Sequence, residues 1–335
     1  MKDCRNIAFF VPHAGCPNCC VFCSQVKITG VRAEKDLETE IKELRDTLET
    51  AGKTDIESKI AFFGGSFTAI ERPRMISLLS VADEYIDKGY ASGIRISTRP
   101  DCIDEEIIKI LKEYRVTDVE LGIQSTDDKV LAASGRGHTA ADSFKAASLL
   151  VDNGFTFGGQ MMIGLPLSNE ESEIKTASDI VKMGAREARI YPTVVFENTK
   201  LYDMTKQGEY APLTTEQAVS RAAACYEIFE KNKVKMLRVG LHASENLVSA
   251  PYGATHPAIG ELVKGRLYAN RIISLAGNCE NKLLKVFIKK EDISMLCGNG
   301  KAEIKRIKDA SKAASVELVG CERERFDPSL EIRSV

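Results

Sequence analysis

Short apolar strands alternate with amphipathic helices over the first 195 residues, and this alternation limits the possible folds more than any other feature. The strands are predicted at residues 7–11, 59–63, 93–97, 118–124, 155–163 and 188–195. Strands that alternate with helices form a parallel sheet, and continuous apolar runs such as IAFFV and KIAFF are typical of strands buried on both faces. Six units are too few for a closed eightfold barrel. We therefore expect an α/β fold in which residues 1–205 form a partial (β/α)6 TIM-type barrel.

Beyond residue 205 the pattern changes. A helix is predicted at 213–232, with Thr214 or Thr215 as its cap and an acidic residue close behind, and a seventh strand is a candidate at 234–241. A loop at 250–257, a helix at 259–276, a strand at 283–289 and two short helical stretches complete the prediction. The segment has no internal repeat or long linker. We expect residues 206–335 to form a C-terminal α/β extension that closes the barrel and shapes the substrate pocket.

Composition and charge restrict the class of protein. The chain is 44% hydrophobic and 28% charged, ordinary values for a globular protein. No apolar run approaches the roughly 18 residues of a membrane span, and no signal sequence precedes the first strand. We therefore expect a cytoplasmic protein without membrane contact, whose ten cysteines form no disulfides. The net charge of −2, with lysine and arginine spread along the helices, favours a small substrate over a polynucleotide.

Four cysteines lie within eight residues directly after the first strand: Cys16, Cys19, Cys20 and Cys23. Three of them, Cys16, Cys20 and Cys23, have the spacing Cys-x3-Cys-x2-Cys. Three thiolates on one short loop can hold three irons of a [4Fe–4S] cluster, which leaves the fourth iron without a protein ligand. Cys19 offers a second register with Cys23 that no later cysteine completes, so we treat Cys19 as a bystander thiol.

The same cysteines also allow other interpretations. Three thiolates are compatible with zinc, although no histidine or further cysteine follows at finger spacing to complete a tetrahedral site. A non-enzymatic metal-binding module therefore remains an alternative to an iron–sulfur enzyme. The other six cysteines occur singly and are typical of small buried residues. A second cluster from Cys279, Cys297 and Cys321 is disfavoured because none of them belongs to a Cys-x2-Cys pair.

Polar and glycine-rich segments follow or end several of the predicted strands. They are the cysteine loop, Gly64-Gly65-Ser66, Gln124 and Gly164-Leu165-Pro166. In parallel α/β folds the chemistry collects at the carboxyl ends of the strands. We therefore expect these segments to meet at one edge of the sheet.

The cysteine loop, with the aromatic Phe22 just before the last cysteine, resembles that of the radical S-adenosylmethionine (SAM) superfamily. Within it the chain is most similar to the catalytic subunit of Elongator and its bacterial relatives over residues 7–205. The resemblance rests on the strings FFVPHAGCPNCCVFCSQ, FFGGSFTAI, ISTRPDCI, ELGIQS, GRGHT, MMIGLP and RIYPTVVFENTKL. It implies a [4Fe–4S] cluster and SAM as cofactors, with a reductant such as flavodoxin or ferredoxin. Electron transfer from the cluster cleaves SAM, and the resulting 5′-deoxyadenosyl radical abstracts hydrogen from the substrate.

The resemblance also assigns positions around SAM. Gly64, Gly65 and Ser66 match the glycine-rich turn that receives the methionine amino group. Arg136 matches an arginine that pairs with the methionine carboxylate, a task suited to a forked guanidinium. The remaining polar or aromatic positions near the cofactor are Phe22 beside the adenine, Ser97 near SAM, and Gln124 and Gln160 on the ribose side.

Elongator-type enzymes carry a basic N-terminal region for tRNA and a C-terminal acetyltransferase domain. We expect neither here, and therefore no acetyl-dependent modification of wobble uridine. The chain resembles short bacterial members of the group, one known activity of which is queuosine (queuine) lyase. That activity frees queuine by cleaving the glycosidic C–N bond of a small modified nucleoside. The alternative is a radical SAM enzyme that modifies tRNA.

Substrate residues are sought at the later strand ends and in the C-terminal third of the chain. The candidates are polar or ionisable side chains that flank the sixth and seventh strands or the Pro-rich loop. A single histidine is more often structural than catalytic, so each histidine carries limited weight. The predicted catalytic set is Tyr191, Arg238, His242, His256 and Glu261.

Overall fold

The computed structural model describes residues 5–11, 16, 20–23, 36–54, 56–242 and 245–334. Its strands, in chain order, are β1 (Arg5–Val11), β2 (Ser58–Gly64), β3 (Gly93–Thr98), β4 (Val116–Gln124), β5 (Thr156–Ile163), β6 (Glu187–Pro192), β7 (Val194–Val195), β8 (Lys235–Val239), β9 (Tyr252–Gly253), β10 (Lys282–Lys289), β11 (Ser315–Cys321) and β12 (Ser329–Ser334). Its helices are α1 (Leu37–Ala51), α2 (Arg72–Asp87), α3 (Glu105–Glu113), α4 (Asp128–Ala133), α5 (Ala140–Asp152), α6 (Glu170–Lys182), α7 (Lys200–Lys206), α8 (Thr215–Lys231), α9 (Glu245–Val248), α10 (Ile259–Ala276) and α11 (Ile293–Ser311).

Seven strands form one parallel sheet in the order β1-β2-β3-β4-β5-β6-β8. The sheet curls into a half-barrel, which confirms the predicted α/β fold of partial TIM-barrel type. The candidate seventh strand is real, and it comes from the segment predicted as the C-terminal extension. The proposed division at residue 205 stays a prediction, because the main sheet continues beyond it.

Local sequence signals explain where several helices begin. The side chains of Thr139 and Thr214 each accept a hydrogen bond from the backbone N–H three residues later, and the backbone N–H of each threonine donates to the side chain of that residue, Asp142 or Gln217. These reciprocal bonds satisfy backbone groups that a helix end leaves unpaired. Thr214, one of the two predicted residues, is therefore the cap of α8. Its partner is the side-chain amide of Gln217 rather than an acidic side chain.

The two faces of the main sheet differ sharply. Ile60, Phe62, Ile94 and Ile96 are fully buried on the face that the helices cover. The face inside the half-barrel carries charge from β3 to β6, where side chains alternate between the two faces along each strand. The burial on both faces predicted from IAFFV is therefore wrong for β1, where Ile7, Phe9 and Val11 are buried but Ala8 and Phe10 are exposed. It holds better for KIAFF in β2, where Ile60, Ala61 and Phe62 are buried.

One arginine connects the charged residues inside the half-barrel. Arg95 on β3 donates to Asp118 at 2.9 Å, to Glu120 at 3.1 Å and to Glu187 at 2.6 Å. Burial alone would lower the pKa of Arg95, but its pairing with Glu187 and the two other carboxylates raises it. Lys59 donates a further hydrogen bond to Asp118. The network connects β2, β3, β4 and β6 across the interior of the half-barrel.

The C-terminal part differs from prediction in three ways. Residues 293–311 form one helix rather than two short stretches, because Leu296 and Ile307 are buried on its inner side although Gly298 and Gly300 interrupt the apolar pattern. Strands β11 and β12, which were not predicted, flank β10 in a three-stranded sheet. Residues 252–253 of the predicted loop pair with β7.

Contacts between helices connect this part to the half-barrel. Helix α10 packs against both α8 and α11, so the C-terminal sheet is attached through helices rather than through the main sheet. Its strand β10 buries Leu284, Val286 and Ile288 completely. No helix in the described part of the chain is long and apolar enough to cross a membrane.

We predict that Arg95→Met destabilises the fold by about 3–5 kcal/mol, because it leaves three buried carboxylates without their shared partner. Lys88→Met is the control: Lys88 pairs with Glu84 at 2.7 Å, but both side chains are at least 40% exposed. Its cost is expected to stay below about 1 kcal/mol. Urea denaturation measures both changes. Similar small losses for the two variants would show that the interior network contributes little to stability.

Candidate active site

The glycine-rich turn lies directly against the end of the first strand. Gly64 has φ +121°, and a Cβ atom added there would lie 2.7 Å from the carbonyl oxygen of Val11. The backbone N–H of Gly65 donates to the same oxygen at 3.1 Å. Only glycine combines this φ with so close an approach. The turn is thereby fixed beside the point where the chain enters the cysteine loop.

A group of buried hydroxyls attaches this turn to the end of β3. Ser66 Oγ lies 2.8 Å from Thr98 Oγ1, and Thr68 Oγ1 lies 2.6 Å from the same atom. The backbone N–H of Arg99 donates to Ser66 Oγ at 3.1 Å. The hydroxyl of Ser66 therefore already serves the structure, and its predicted contact with SAM stays a prediction.

The last part of the cysteine loop is attached at two points. The N–H of Val21 donates to the carbonyl of Ser134 at 3.0 Å, and the N–H of Leu201 donates to the carbonyl of Val21 at 2.8 Å. The side chains of Val21 and Phe22 belong to a small apolar cluster with Leu201. The loop is thus placed over the ends of β4 and β6. The predicted contact of Phe22 with adenine stays a prediction.

The cysteines themselves differ in exposure. Cys20 is buried, whereas Cys16 and Cys23 are exposed, and Cys19 lies outside the described residues. Arg136 Nη1 lies 3.4 Å from Cys20 Sγ. No group of three His, Cys, Asp or Glu side chains among the described residues is arranged to hold a metal ion. The joining of Cys16, Cys20 and Cys23 into one ligand set therefore stays a prediction.

Two arginines make the surroundings of these thiols positive. The pKa of Cys16 is raised because its thiol is partly withdrawn from water, and Arg136 and Arg99 act in the opposite direction. Positive charge favours thiolate, the form that binds metal. Arg99, which the sequence analysis did not single out, is almost fully buried and donates to Asp101 and to the carbonyl of Arg136. The two arginines therefore moderate the rise in the pKa of Cys16 without reversing it.

The end of β4 contains polar atoms without partners. Gln124 has φ +67° and follows an irregularity in the pairing of β4 with β5. A Cβ atom added at Gly122 would lie 2.8 Å from Arg136 Nη2 and 3.1 Å from Gln124 Nε2, so a side chain there would displace the ends of these two side chains. Buried side-chain atoms here lack a hydrogen-bond partner within the described part of the chain: Gln124 Oε1, Arg136 Nε, Arg99 Nη1, Ser134 Oγ and His138 Nδ1.

Such orphaned polar atoms are uncommon in folded proteins, since leaving one buried and unpaired costs free energy. A polar ligand with several donors and acceptors would satisfy them. SAM carries an amino group, a carboxylate and a ribose, so the residues present fit this cofactor. Gln124 and Arg136, which the sequence assigned to SAM, each contribute one of these atoms without a hydrogen-bond partner.

His138 lies beneath this group. Its Nε2 is 3.2 Å from the carbonyl oxygen of Ile123. Burial, followed by the nearby charge of Arg136, lowers its pKa to about 4. His138 is therefore neutral near pH 7 and adds no positive charge beside the arginine.

Two predicted cofactor residues meet inside the half-barrel. Gln160 Nε2 donates to Glu120 at 2.8 Å and to Ser97 Oγ at 3.3 Å. Glu120 also accepts from Arg189 at 2.6 and 3.0 Å, and the Arg189 guanidinium lies 5.5 Å from the centre of the Phe63 ring. Burial alone would raise the pKa of Glu120, but Arg189 and Arg95 hold it below its ordinary value.

Three of the five predicted substrate residues lie together near the ends of β6 and β8. Tyr191 and Arg238 are half-buried on these strands, and His242 follows β8. Burial raises the pKa of Tyr191, and Arg189 and Arg238 oppose that change. Burial and the same two arginines lower the pKa of His242. The structure therefore brings these three residues into one positive environment.

The other two substrate candidates have local partners. The backbone N–H of Ala258 donates to His256 Nδ1 at 3.1 Å, which stabilises the turn before α10. Glu261 forms an exposed ion pair with Lys264 at 2.8 Å. Neither contact involves the interior of the half-barrel. Their predicted roles in catalysis stay predictions.

Several residues that shape the site were missed from the sequence. Thr98 and Arg99 follow Ser97 in the string that was recognised, but no role was given to them. Glu120 and Arg189 were missed although polar residues at alternate positions in DVELGIQ and EARIYP were visible. That alternation is the signal of a polar face on a half-buried strand.

The fold and the site together define an α/β half-barrel with a cysteine loop and a polar ligand site at the carboxyl ends of its strands. Residues 10–180 match the sequence model described as the Radical SAM superfamily, and residues 185–269 match that of the Radical_SAM C-terminal domain. The chain belongs to the Radical SAM superfamily. Its members are enzymes that use a [4Fe–4S] cluster and SAM.

Two relatives come from the archaeon Methanocaldococcus jannaschii. A tRNA uridine(34) acetyltransferase is 38% identical over 140 residues, which are 41% of this chain and 26% of that protein. An uncharacterized protein is 28% identical over 218 residues, which are 62% of this chain and 66% of that protein. The chain thus matches about a quarter of the acetyltransferase and just under two thirds of the other relative.

Among solved structures, an archaeal Elp3 from Methanocaldococcus infernus with an N-terminal deletion superposes with a TM-score of 0.63. It is 24% identical, and the match covers 81% of this chain and 64% of that one. This likeness concerns the fold. The resemblance to Elongator-type radical SAM domains that the sequence indicated is confirmed.

We predict that Gly64→Ala weakens SAM binding at least about tenfold, because the turn must move away from Val11 to admit a Cβ atom. The control is Gly89→Ala, where φ is +79° and nothing lies within 4 Å of the added atom. Both variants carry the cost of a left-handed backbone, about 1 kcal/mol, but only the first disturbs the turn. Equilibrium dialysis of the reconstituted proteins with SAM measures the difference. Equal affinity in both variants would contradict a role for this turn.

We predict that His138 makes stability fall in acid. Its folded pKa of about 4 is below the ordinary 6.5, so the unfolded chain binds the proton first. The contribution is fully present above pH 6.5 and is lost as the pH falls from 6.5 to about 4, by roughly 3 kcal/mol in total. Unfolding free energies of wild type and His138→Gln across this range give the difference. Parallel pH profiles would contradict the assignment.

Proposed function

We propose that this radical SAM enzyme acts on a modified nucleoside and that its reaction is the release of queuine from queuosine. One observation supports the proposal above all. The inside of the half-barrel is polar from β3 to β8, and Ser97, Gln160 and Tyr191 lie there, towards the carboxyl ends of their strands. A hydrogen-bonding substrate suits this lining, whereas an apolar one would leave polar groups unpaired. The near-neutral net charge of −2 favours a small molecule over a polynucleotide.

Two groups of residues would bind the two cofactors. Cys16, Cys20 and Cys23 would hold the cluster, while Gly64, Gly65, Gln124 and Arg136 would hold SAM. With both cofactors bound, reductive cleavage of SAM would supply a radical able to take hydrogen from a ribose carbon. The sugar radical would release queuine, which leaves with a proton, and the remaining sugar radical would be quenched by one electron and one proton from the reductant. The buried network of Arg95 and Glu120 would keep the strand ends in position and leave no charge free to react.

A second candidate is a radical enzyme that modifies tRNA. The observation that favours it is the 38% identity, over 140 residues, with a protein named tRNA uridine(34) acetyltransferase. Such an enzyme must bind phosphates, so its RNA affinity would fall steeply with salt. A non-enzymatic metal-binding module is disfavoured by membership of an enzyme superfamily.

We predict that the anaerobically reconstituted protein, given SAM, a reductant and queuosine, produces 5′-deoxyadenosine and free queuine together. Liquid chromatography with mass spectrometry measures both products against a panel of nucleosides and unmodified tRNA. Cys20→Ala is expected to lose iron and both products, because it removes one of three ligands. Cys321→Ser, which changes a half-buried cysteine on β11 far along the chain, is the control and keeps both.

Three results would decide against this proposal in different ways. No 5′-deoxyadenosine above background with any nucleoside would rule out the lyase. Products that appear only with tRNA, with affinity that falls steeply with salt, would favour the second candidate. A colourless protein that holds zinc and cleaves no SAM would exclude radical chemistry altogether.

A further inference from the structure

Among the residues that the structure describes, the carboxylates inside the half-barrel are all paired with basic side chains of the same face. Arg95 serves all three of them, Lys59 shares one, and Arg189 holds another at 2.6 and 3.0 Å. The carboxylates are Asp118, Glu120 and Glu187, and the cations that pair with them are Lys59, Arg95 and Arg189. Two further cations, Lys235 and Arg238 on β8, lie in register with Glu187 and Arg189.

Arg238 pairs with none of these carboxylates. It pairs in register with Arg189 across β6 and β8, and neighbours in a parallel register point to the same face of the sheet. Arg189 is occupied by Glu120, whereas Arg238 forms no hydrogen bond or ion pair with any described residue. Its side chain is half-buried, so water screens it only in part. A guanidinium in such a place is stabilised by a bound anion.

The groups around Arg238 support the same conclusion. Tyr191 and His242 are its neighbours, and the pKa of His242 is lowered by burial and by the two arginines, which reports a positive potential there. Neutral imidazole and tyrosine hydroxyl can each donate one hydrogen bond. Together with the guanidinium fork, they offer donors from three different side chains. A phosphate has more acceptor oxygens than a carboxylate and can use more of these donors.

We propose that Arg238 is the anion-binding residue of the substrate site, and that the group it holds is the phosphate of a nucleoside 5′-monophosphate, with Tyr191 and His242 as neighbouring donors. This inference rests on the proposed nucleoside substrate and makes it more specific. The natural substrate is then the phosphorylated nucleotide rather than the free nucleoside. SAM binding is not expected to depend on Arg238, because the predicted cofactor residues lie on or after β1 to β5 and Arg238 lies on β8.

Binding without turnover tests the inference. The reconstituted holoenzyme with SAM but no reductant is titrated with guanosine, guanosine 5′-monophosphate, guanosine 5′-carboxylate and inorganic phosphate, by isothermal calorimetry. Wild type is expected to bind the monophosphate at least about tenfold more tightly than guanosine, the scale of one charge-assisted contact. Inorganic phosphate is expected to compete with the monophosphate.

Three variants locate the effect. Arg238→Gln is expected to remove the advantage of the monophosphate while SAM affinity stays unchanged. Arg238→Lys keeps the charge without the fork and is expected to retain part of the advantage. Arg186→Gln is the matched control, because Arg186 is an exposed arginine at the opposite end of β6. It is expected to bind all four probes as wild type does.

Every other outcome overturns the inference. Equal affinity of wild type for guanosine and its monophosphate, or no binding of any phosphate probe, excludes a phosphate site. If Arg238→Gln still binds the monophosphate as much more tightly than guanosine as wild type does, the phosphate is bound elsewhere. Tighter binding of the carboxylate assigns a different anion. Since no radical is formed, these results stand apart from the turnover assay: lack of 5′-deoxyadenosine with any nucleoside defeats the proposed function, whereas lack of phosphate preference defeats only this inference.

Discussion

The structure depends most on the carboxylate of Glu120, which is almost completely buried inside the half-barrel. It accepts hydrogen bonds from Arg95 on β3, Gln160 on β5 and Arg189 on β6. Four neighbouring strands are therefore held in register by one side chain on β4. Because Ser97, Gln124, Gln160 and Tyr191 lie on these strands, the alignment of the strands sets the relative positions of these four candidate residues.

Much of the fold could be predicted because short apolar strands and amphipathic helices alternate in a simple way. The charged interior was not predicted, because the alternating polar residues of the later strands were not given a role beside the apolar runs IAFFV and KIAFF. In β3 to β6 one face packs against helices and the other faces a polar cavity, so every second residue is free to be charged. The single helix at residues 293–311 was not predicted because glycines interrupt its apolar pattern. It forms because its buried side chains pack against the rest of the protein.

The candidate site was predictable where a motif demands a particular backbone. Gly64 could be recognised because no other residue fits against Val11, and Gln124 because it ends a strand at a bulge. Residues that act through neighbours were harder to find: Thr98 and Arg99 matter only once the turn and the end of β3 are seen to meet. Long-range partners of this kind leave no local pattern in a sequence.

The attachment of Val21 to Leu201 has a consequence for how the chain can be divided. The cysteine loop takes part of its support from residues that follow the sixth strand, and Arg238 belongs to a strand further on. A fragment that stops at the end of the sixth strand would keep every cysteine of the loop and the glycine-rich turn. It would nevertheless lose Leu201, against which Val21 of the loop packs, and Arg238 on β8. The smallest working unit therefore extends through β8.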